Sequence, residues 1–276
     1  MTQITATDVA KLRSITGAGM MDCKAALTES DGDFEKAIET IRKKGKAVAI
    51  KRADRKASEG VVISKVTEDG KRGAMIVLNC ETDFVAKNDK FVEFAYSILN
   101  LALDKNPADL NTLKQLTVNG RNVTDLVTEQ IGIIGEKLEL PYYDKVEAEK
   151  VVAYIHPGNK LATLAGLNRP EVEMQVGKDI AMQVAAMNPV AIDVTNVPSN
   201  VIEKEIEIGK EQARLEGKPE NMLDKIAQGK LQKYYKESTL LNQEFIKDGK
   251  ISVKQYLQGI NKDLTVTAFK RYSLTL

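Results

Sequence analysis

Any chemistry in this chain has to be done almost without histidine or cysteine. His156 is the one histidine, and Cys23 and Cys80 stand in separate segments with no CxxC pair. That removes most nucleophile–base dyads and triads and leaves no histidine- or cysteine-based metal site. The phosphate-cradling and nucleophile-elbow patterns G-x-x-x-x-G-K-[ST], G-x-G-x-x-G and G-x-S-x-G are absent too. What remains is carboxylates and lysines spread along the chain, so the sequence reads as non-enzymatic, with no cofactor and no metal expected. The one concentrated anomaly is NCETDFVAKN, residues 79–88. An apolar run, Ala74-Met75-Ile76-Val77-Leu78, ends there, and a turn or helix cap is due. Instead Thr82-Asp83-Phe84-Val85 sets an aromatic ring beside an acid. A lone aromatic most often caps its own core. Phe84 therefore has to be judged from the elements around it.

Those elements are affordable within 276 residues, of which 43% are hydrophobic, enough for two or three small domains with packed cores. Charge is balanced at 40 basic against 39 acidic residues, net +1. A general nucleic-acid binder carries a basic excess, so that class is disfavoured. The start, MTQITATDVAKL, lacks a charged-then-apolar signal pattern. No apolar run approaches the roughly 20 residues that span a bilayer. With two unpaired cysteines, the expectation is a protein of the reducing cytoplasm, with no membrane contact.

Residues 1 to about 44 read as three short helices. Thr7 or Asp8 is expected to cap the first. Thr16-Gly17-Ala18-Gly19 forms a loop, a second helix covers Cys23 to Thr28, and Asp33 caps a third, on which Phe34, Ala37, Ile38 and Ile41 share a face. The following run 42–56, RKKGKAVAIKRADRK, holds eight basic residues and one acidic, and is read as a solvated linker. The expected divisions are 1–54 for the helices and linker, 55–145 for a first core subdomain and 146–276 for a second.

The two subdomains are suggested by a repeat. GVVISKVTEDGKRGAMIVLN, 60–79, and KVVAYIHPGNKLATLAGLN, 150–168, both run Val-Val into a tight turn and back to Leu-Asn. Both are hairpins by turn chemistry. A helix with one apolar face follows each, carrying Phe91, Phe94, Ala95, Ile98, Leu99 and Ala102 in the first copy and Val176, Ile180, Val184 and Met187 in the second. Each copy closes on a strand, near 137–142 and 264–274. The expected class is α+β, two small antiparallel sheets each with helices on one face. Between Leu-Asn and the helix the first copy has eleven residues, Cys80 to Lys90, and the second seven, with no aromatic. The fold does not require Thr-Asp-Phe-Val, and added loops on a rigid scaffold carry function. That reverses the ordinary odds for Phe84. From about 198 to 238 a polar helical hairpin is expected, with Ser199 as N-cap and a narrow seam of Ile202, Ile206, Gly209 and Ala213 facing Leu223, Ile226, Ala227, Leu231 and Tyr234.

At these residues the sequence resembles the bacterial elongation factor Ts family. The resemblance rests on LRSITGAGMMDCKAAL, 12–27, on NCETDFVAKN, on Ile134-Gly135-Glu136, on the Tyr154-Ile155-His156 turn and on the helical arm, and it covers nearly the whole chain. It implies a three-helix domain of ubiquitin-associated type, no enzymatic reaction, and a partner, the GTPase elongation factor Tu. It implies that Thr82, Asp83, Phe84 and Val85 form the segment that dislodges magnesium and promotes nucleotide exchange. It also implies that Leu12, Met20, Met21, Ile134, Gly135 and His156 belong to the partner-binding surface. Ser14 and Ile15 depart from the family's common charged residues, and Lys160-Leu161-Ala162 replaces its usual Arg-Ile-Gly. The competing class is an RNA- or ribosome-binding module built on the basic run and the arm, which salt would separate from an apolar interface.

Overall fold

The computed structural model describes residues 3–275. Three helices open the chain, α1 (Ala6–Thr16), α2 (Met20–Glu29) and α3 (Phe34–Lys51). The first is capped two or three residues earlier than Thr7 or Asp8. Thr5 is the N-cap, its hydroxyl accepting from Asp8 N while the Asp8 carboxylate accepts from Thr5 N. This reciprocal pair satisfies two N-terminal amides at once. The second helix starts at Met20 rather than Cys23, because Gly17, at φ 72, closes α1 and Gly19 already serves as the next N-cap. Val9, Leu12, Ala18, Cys23, Ala26, Leu27 and Ala37 make the small core of this unit.

The basic run 42–56 is not a linker: α3 is helical to Lys51, with Asp33 capping its start as expected. The helix continues because one of its faces has a partner. Val48 and Ala49 pack against the core of the next unit. Gly45 lies against Gly132 so closely that a Cβ on Gly132 would sit 2.3 Å from the Gly45 Cα.

The remainder is α+β. The first half contains β1 (Glu59–Val66), β2 (Arg72–Cys80), α4 (Asp83–Ala86), α5 (Asp89–Lys105), α6 (Leu110–Gln115), the short pair β3 (Thr117–Val118) and β4 (Arg121–Asn122), α7 (Val123–Ile134) and β5 (Glu139–Glu147). The second half contains β6 (Lys150–Ile155), β7 (Leu161–Leu167), α8 (Met174–Met187), the arm helices α9 (Ser199–Leu215) and α10 (Leu223–Ser238), the small pair β8 (Glu244–Phe245) and β9 (Asp248–Ser252), α11 (Val253–Ile260) and β10 (Val266–Ser273). The two three-stranded antiparallel sheets have matching orders, β1-β2-β5 and β6-β7-β10, so the returning strand of each hairpin is central and the last strand of each half adds beside it.

The sheets stack face to face over Val62, Met75, Val77, Val146, Val151, Ala162 and Leu164. Strand alternation sends Val61, Ile63, Ile76 and Leu78 to the opposite face, against Phe91, Ile98 and Leu99 of α5 and Val127 and Ile131 of α7. The outer face of the second sheet is covered by Ile180 and Val184 of α8 and Leu257 of α11. Of the apolar faces expected on α5 and α8, Phe94 is only half-buried and Met187 is exposed. The layers therefore run helix, sheet, sheet, helix. Backbone bonds stitch the halves together: Val62 N donates to Asn159 O and Val151 N to Gly70 O.

In the arm, Pro198 rather than Ser199 is the N-cap and no side chain caps the helix. Gly209 and Ala213 are buried against the returning helix, which buries Leu223, Ala227, Leu231 and Tyr235; Tyr234 is only half-buried. The base is held on Ala191 and Val197.

Candidate functional site

Counted from the matched Asn79 and Asn168, nine residues, 80–88, precede α5 and five, 169–173, precede α8. The excess of four equals the length of α4, Asp83–Ala86. The segment singled out in the sequence is thus a single helical turn inserted where the other half has none. Thr82 is its N-cap, the hydroxyl accepting from Val85 N at 3.4 Å. Val85 packs on the first core and Ala86 is buried, which seats the turn. Phe84 points the other way and is 83% exposed. Asp83 pairs with Lys87 at 2.7 Å, and that hydrogen bond holds its carboxyl below the usual carboxylate range.

One helical turn cannot hold itself, and the structure supplies an external mount that sequence reasoning missed. Gly135, at φ 79, ends α7 in the left-handed conformation with open space beside it, a purely backbone requirement. It delivers Glu136 to the loop. One Glu136 oxygen accepts from Glu81 N at 3.1 Å and Thr82 N at 3.0 Å; the other accepts from the Thr82 hydroxyl at 2.7 Å. In return the Glu81 carboxylate accepts from Lys137 N at 2.7 Å and from both sides of its fork by Arg52 Nη1 at 3.1 and 3.0 Å. The Cys80 thiol donates to Thr82 O at 3.1 Å. Burial first, and the Glu136 charge second, push that thiol up to about 12, so it stays a protonated donor. The only local signal for this mount was Glu136 following a helix-ending glycine; its partners lie more than fifty residues away in sequence.

Two grooves adjoin this turn. The first, about 600 Å³, is lined by Thr82, Phe84, Val85, Phe91, Ile133 and Ile134 among others. The second, about 740 Å³, lies on the three-helix unit between Val9, Arg13, Met20 and Met21. Gly17 and Lys90 line both, so the grooves are continuous. Met20 and Met21 are 59% and 74% exposed, so neither serves as core. Ile134 is half-buried on the groove wall.

Leu12 departs from expectation. At 0% exposure in the centre of the three-helix core, it supports the surface and cannot itself meet a partner. His156 lies outside both grooves, exposed in the β6–β7 turn with its Nδ1 2.9 Å from the Tyr154 hydroxyl. Two residues nearby tie that turn to the mounted end of the first sheet: Asn159 O accepts from Val62 N, and Lys160 reaches both Glu59 and Gly60 O. Glu59 faces Cys80 in register. The departure at Lys160 thus has a structural use in this chain. Among the described residues no cluster of histidine, cysteine and acid groups could hold a metal, and no helix is long and apolar enough to cross a membrane.

The sequence model of the family described as Elongation factor TS matches residues 81–275. The chain is 54% identical over 272 residues to the Elongation factor Ts of Porphyromonas gingivalis, covering 98% of each. It is 53% identical over 270 residues to that of Amoebophilus asiaticus, covering 97% of this chain and 98% of the relative. It is 51% identical over 275 residues to that of Christiangramia forsetii, covering 99% of this chain and all of the relative.

Proposed function

The chain belongs to the elongation factor Ts family, and from that premise we propose that it is the guanine nucleotide exchange factor for elongation factor Tu, acting in the cytoplasm. It is a translation elongation factor, and the family is not one of enzymes in the strict sense. In the proposed cycle it binds the GDP-bound GTPase, dislodges the partner's magnesium ion and promotes GDP release so that GTP can rebind.

The observation that carries this reading is the exposed Phe84 ring on a braced turn. Exchange is a coupling between two ligands: a partner that binds the empty GTPase better than the GDP-bound one weakens GDP by the same factor. The coupling needs a group that finds its place only when the nucleotide site is deformed. An apolar ring held out in solvent has that property, since its burial becomes available only if helices of the partner part. Asp83 stands beside it, paired with the exposed Lys87, and can exchange that pairing for donors around the magnesium shell. Magnesium demands near-ideal octahedral geometry, so a small shift of its supporting groups loosens its hold on the phosphates. Met20, Met21 and Ile134 offer apolar area for docking on either side, and the His156 turn a further contact from the second half.

The RNA-binding alternative has less to stand on. Arg42, Lys43 and Arg52 of the basic run are engaged with Glu129, Glu39 and Glu81. The test is release of fluorescent GDP from preloaded elongation factor Tu, followed over a range of salt. The expected result is strong acceleration that survives moderate salt. Absence of acceleration by folded protein would sink the exchange reading.

A further inference from the structure

We propose that Glu136 is the positioning residue of the exchange segment, holding the α4 turn so that Phe84 meets the partner already in its working place. The proposal rests on the exchange reading and deepens it. Among the described residues, all three hydrogen bonds that the Glu136 carboxylate accepts come from Glu81 and Thr82, the two residues that lead into α4. None goes to its own strand or helix. The Glu81 carboxylate makes the reverse grip on Lys137 N, so each of two loops holds the other's backbone by a side chain. Arg52, the C-cap of α3, closes on Glu81 from the three-helix unit. Three segments therefore converge on the base of one helical turn. The turn's apolar seat is small, Val85 and Ala86, and the ring above it touches little of its own protein.

The physical consequence concerns the competent population. A ring on an unbraced turn samples many positions, so in a complex docked through another surface only the molecules with the turn in place engage the nucleotide site. If loss of the brace leaves roughly a tenth of molecules with the turn in place, the effective exchange activity falls about tenfold. Met20 and Met21 belong to the three-helix unit, and none of the hydrogen bonds that Glu136 accepts comes from that unit. The two contributions are thus separable.

The experiment is fluorescent GDP release from elongation factor Tu as a function of exchange-factor concentration, reading the maximal rate and the half-saturating concentration separately. Glu136→Ala is expected to lower the maximal rate about tenfold while shifting half-saturation less than about threefold. Glu136→Gln keeps an acceptor for the two backbone amides and a group that can meet the Thr82 hydroxyl, and is expected to restore most of the rate. Met21→Ala is the contrasting variant, expected to raise half-saturation. Amide hydrogen exchange on the free protein supplies a second reading: Glu136→Ala speeds exchange at Glu81, Thr82 and Lys137. If Glu136→Ala proves too unstable, Arg52→Met loosens the same brace from its exposed side and is expected to show the same split. A folded Glu136→Ala with an undiminished maximal rate overturns the proposal. So does equal damage to rate and half-saturation with no rescue by glutamine, which marks an ordinary structural role. Wild type that fails to release GDP overturns the exchange reading itself, and the proposal with it.

Discussion

Truncating Phe84 to alanine is expected to separate the proposed function from stability. The ring is 83% exposed, so about four-fifths of its hydrophobic transfer free energy is still available to a partner. Burying a phenylalanine side chain fully is worth roughly 1.5–3 kcal/mol, which leaves about 1.2–2.5 kcal/mol for the complex. If that burial occurs only in the state with the nucleotide site deformed, Phe84→Ala lowers exchange efficiency about 8- to 70-fold. The fold itself loses almost nothing, within about 0.5 kcal/mol, because an exposed side chain has little packing to give up. The assay is stopped-flow release of fluorescent GDP at subsaturating exchange factor, with urea denaturation of the free protein alongside. Full exchange activity in Phe84→Ala would refute the wedge, and the mechanism would move to Asp83 or the docking surface. A large loss of stability would refute the reasoning differently, by making Phe84 a core residue after all.

The α3–α7 crossing predicts an asymmetry between two glycines. A Cβ on Gly132 would meet the Gly45 Cα at 2.3 Å, whereas one on Gly45 would find its nearest neighbour, the Gly132 Cα, at an ordinary 3.5 Å. Gly132→Ala is expected to cost roughly 1–3 kcal/mol in urea denaturation by forcing the helices apart, and Gly45→Ala to be neutral or to gain up to about 1 kcal/mol from helix propensity. The Cys80 thiol, pushed up to about 12 chiefly by burial, should resist alkylation in native protein at pH 8 and react once urea unfolds the chain. Asp83 has a depressed folded pKa, so its favourable pairing with Lys87 is complete above the unfolded value and is lost as pH falls through the folded one. A carboxyl titration by NMR of Lys87→Gln should show the Asp83 midpoint rising toward its ordinary value; an unchanged midpoint would remove Lys87 as the cause.

Local chemistry along the chain was sufficient to foresee the hairpins, the apolar faces of α5 and α8, most of the arm seam and the intrusion of Thr-Asp-Phe-Val into the first repeat. Each of these depends on residues a few positions apart: turn glycines, alternation with period two, apolar spacing of three and four. Boundaries were less legible: α1 is capped by Thr5 rather than Thr7 or Asp8, and α9 is preceded by Pro198 rather than Ser199. The basic run misled because its charges dominate its composition, while the buried side of α3 is a single glycine and a few small apolar residues whose partner is α7.

Sequence alone thus determined that a strand ends near Leu78-Asn79, that an acid and an aromatic ring follow it, and that the common nucleophile and phosphate-cradling motifs are missing from the chain. Only the tertiary structure decided which way those groups face. It buried Leu12 and left both Met20 and Met21 in solvent, because three helices of this size have one interior and it was already filled. It brought Glu136 and Arg52 to the base of the α4 turn, across 54 and 29 residues of chain. A side chain's distant partner depends on how whole faces are buried against each other, and no local spacing encodes that choice.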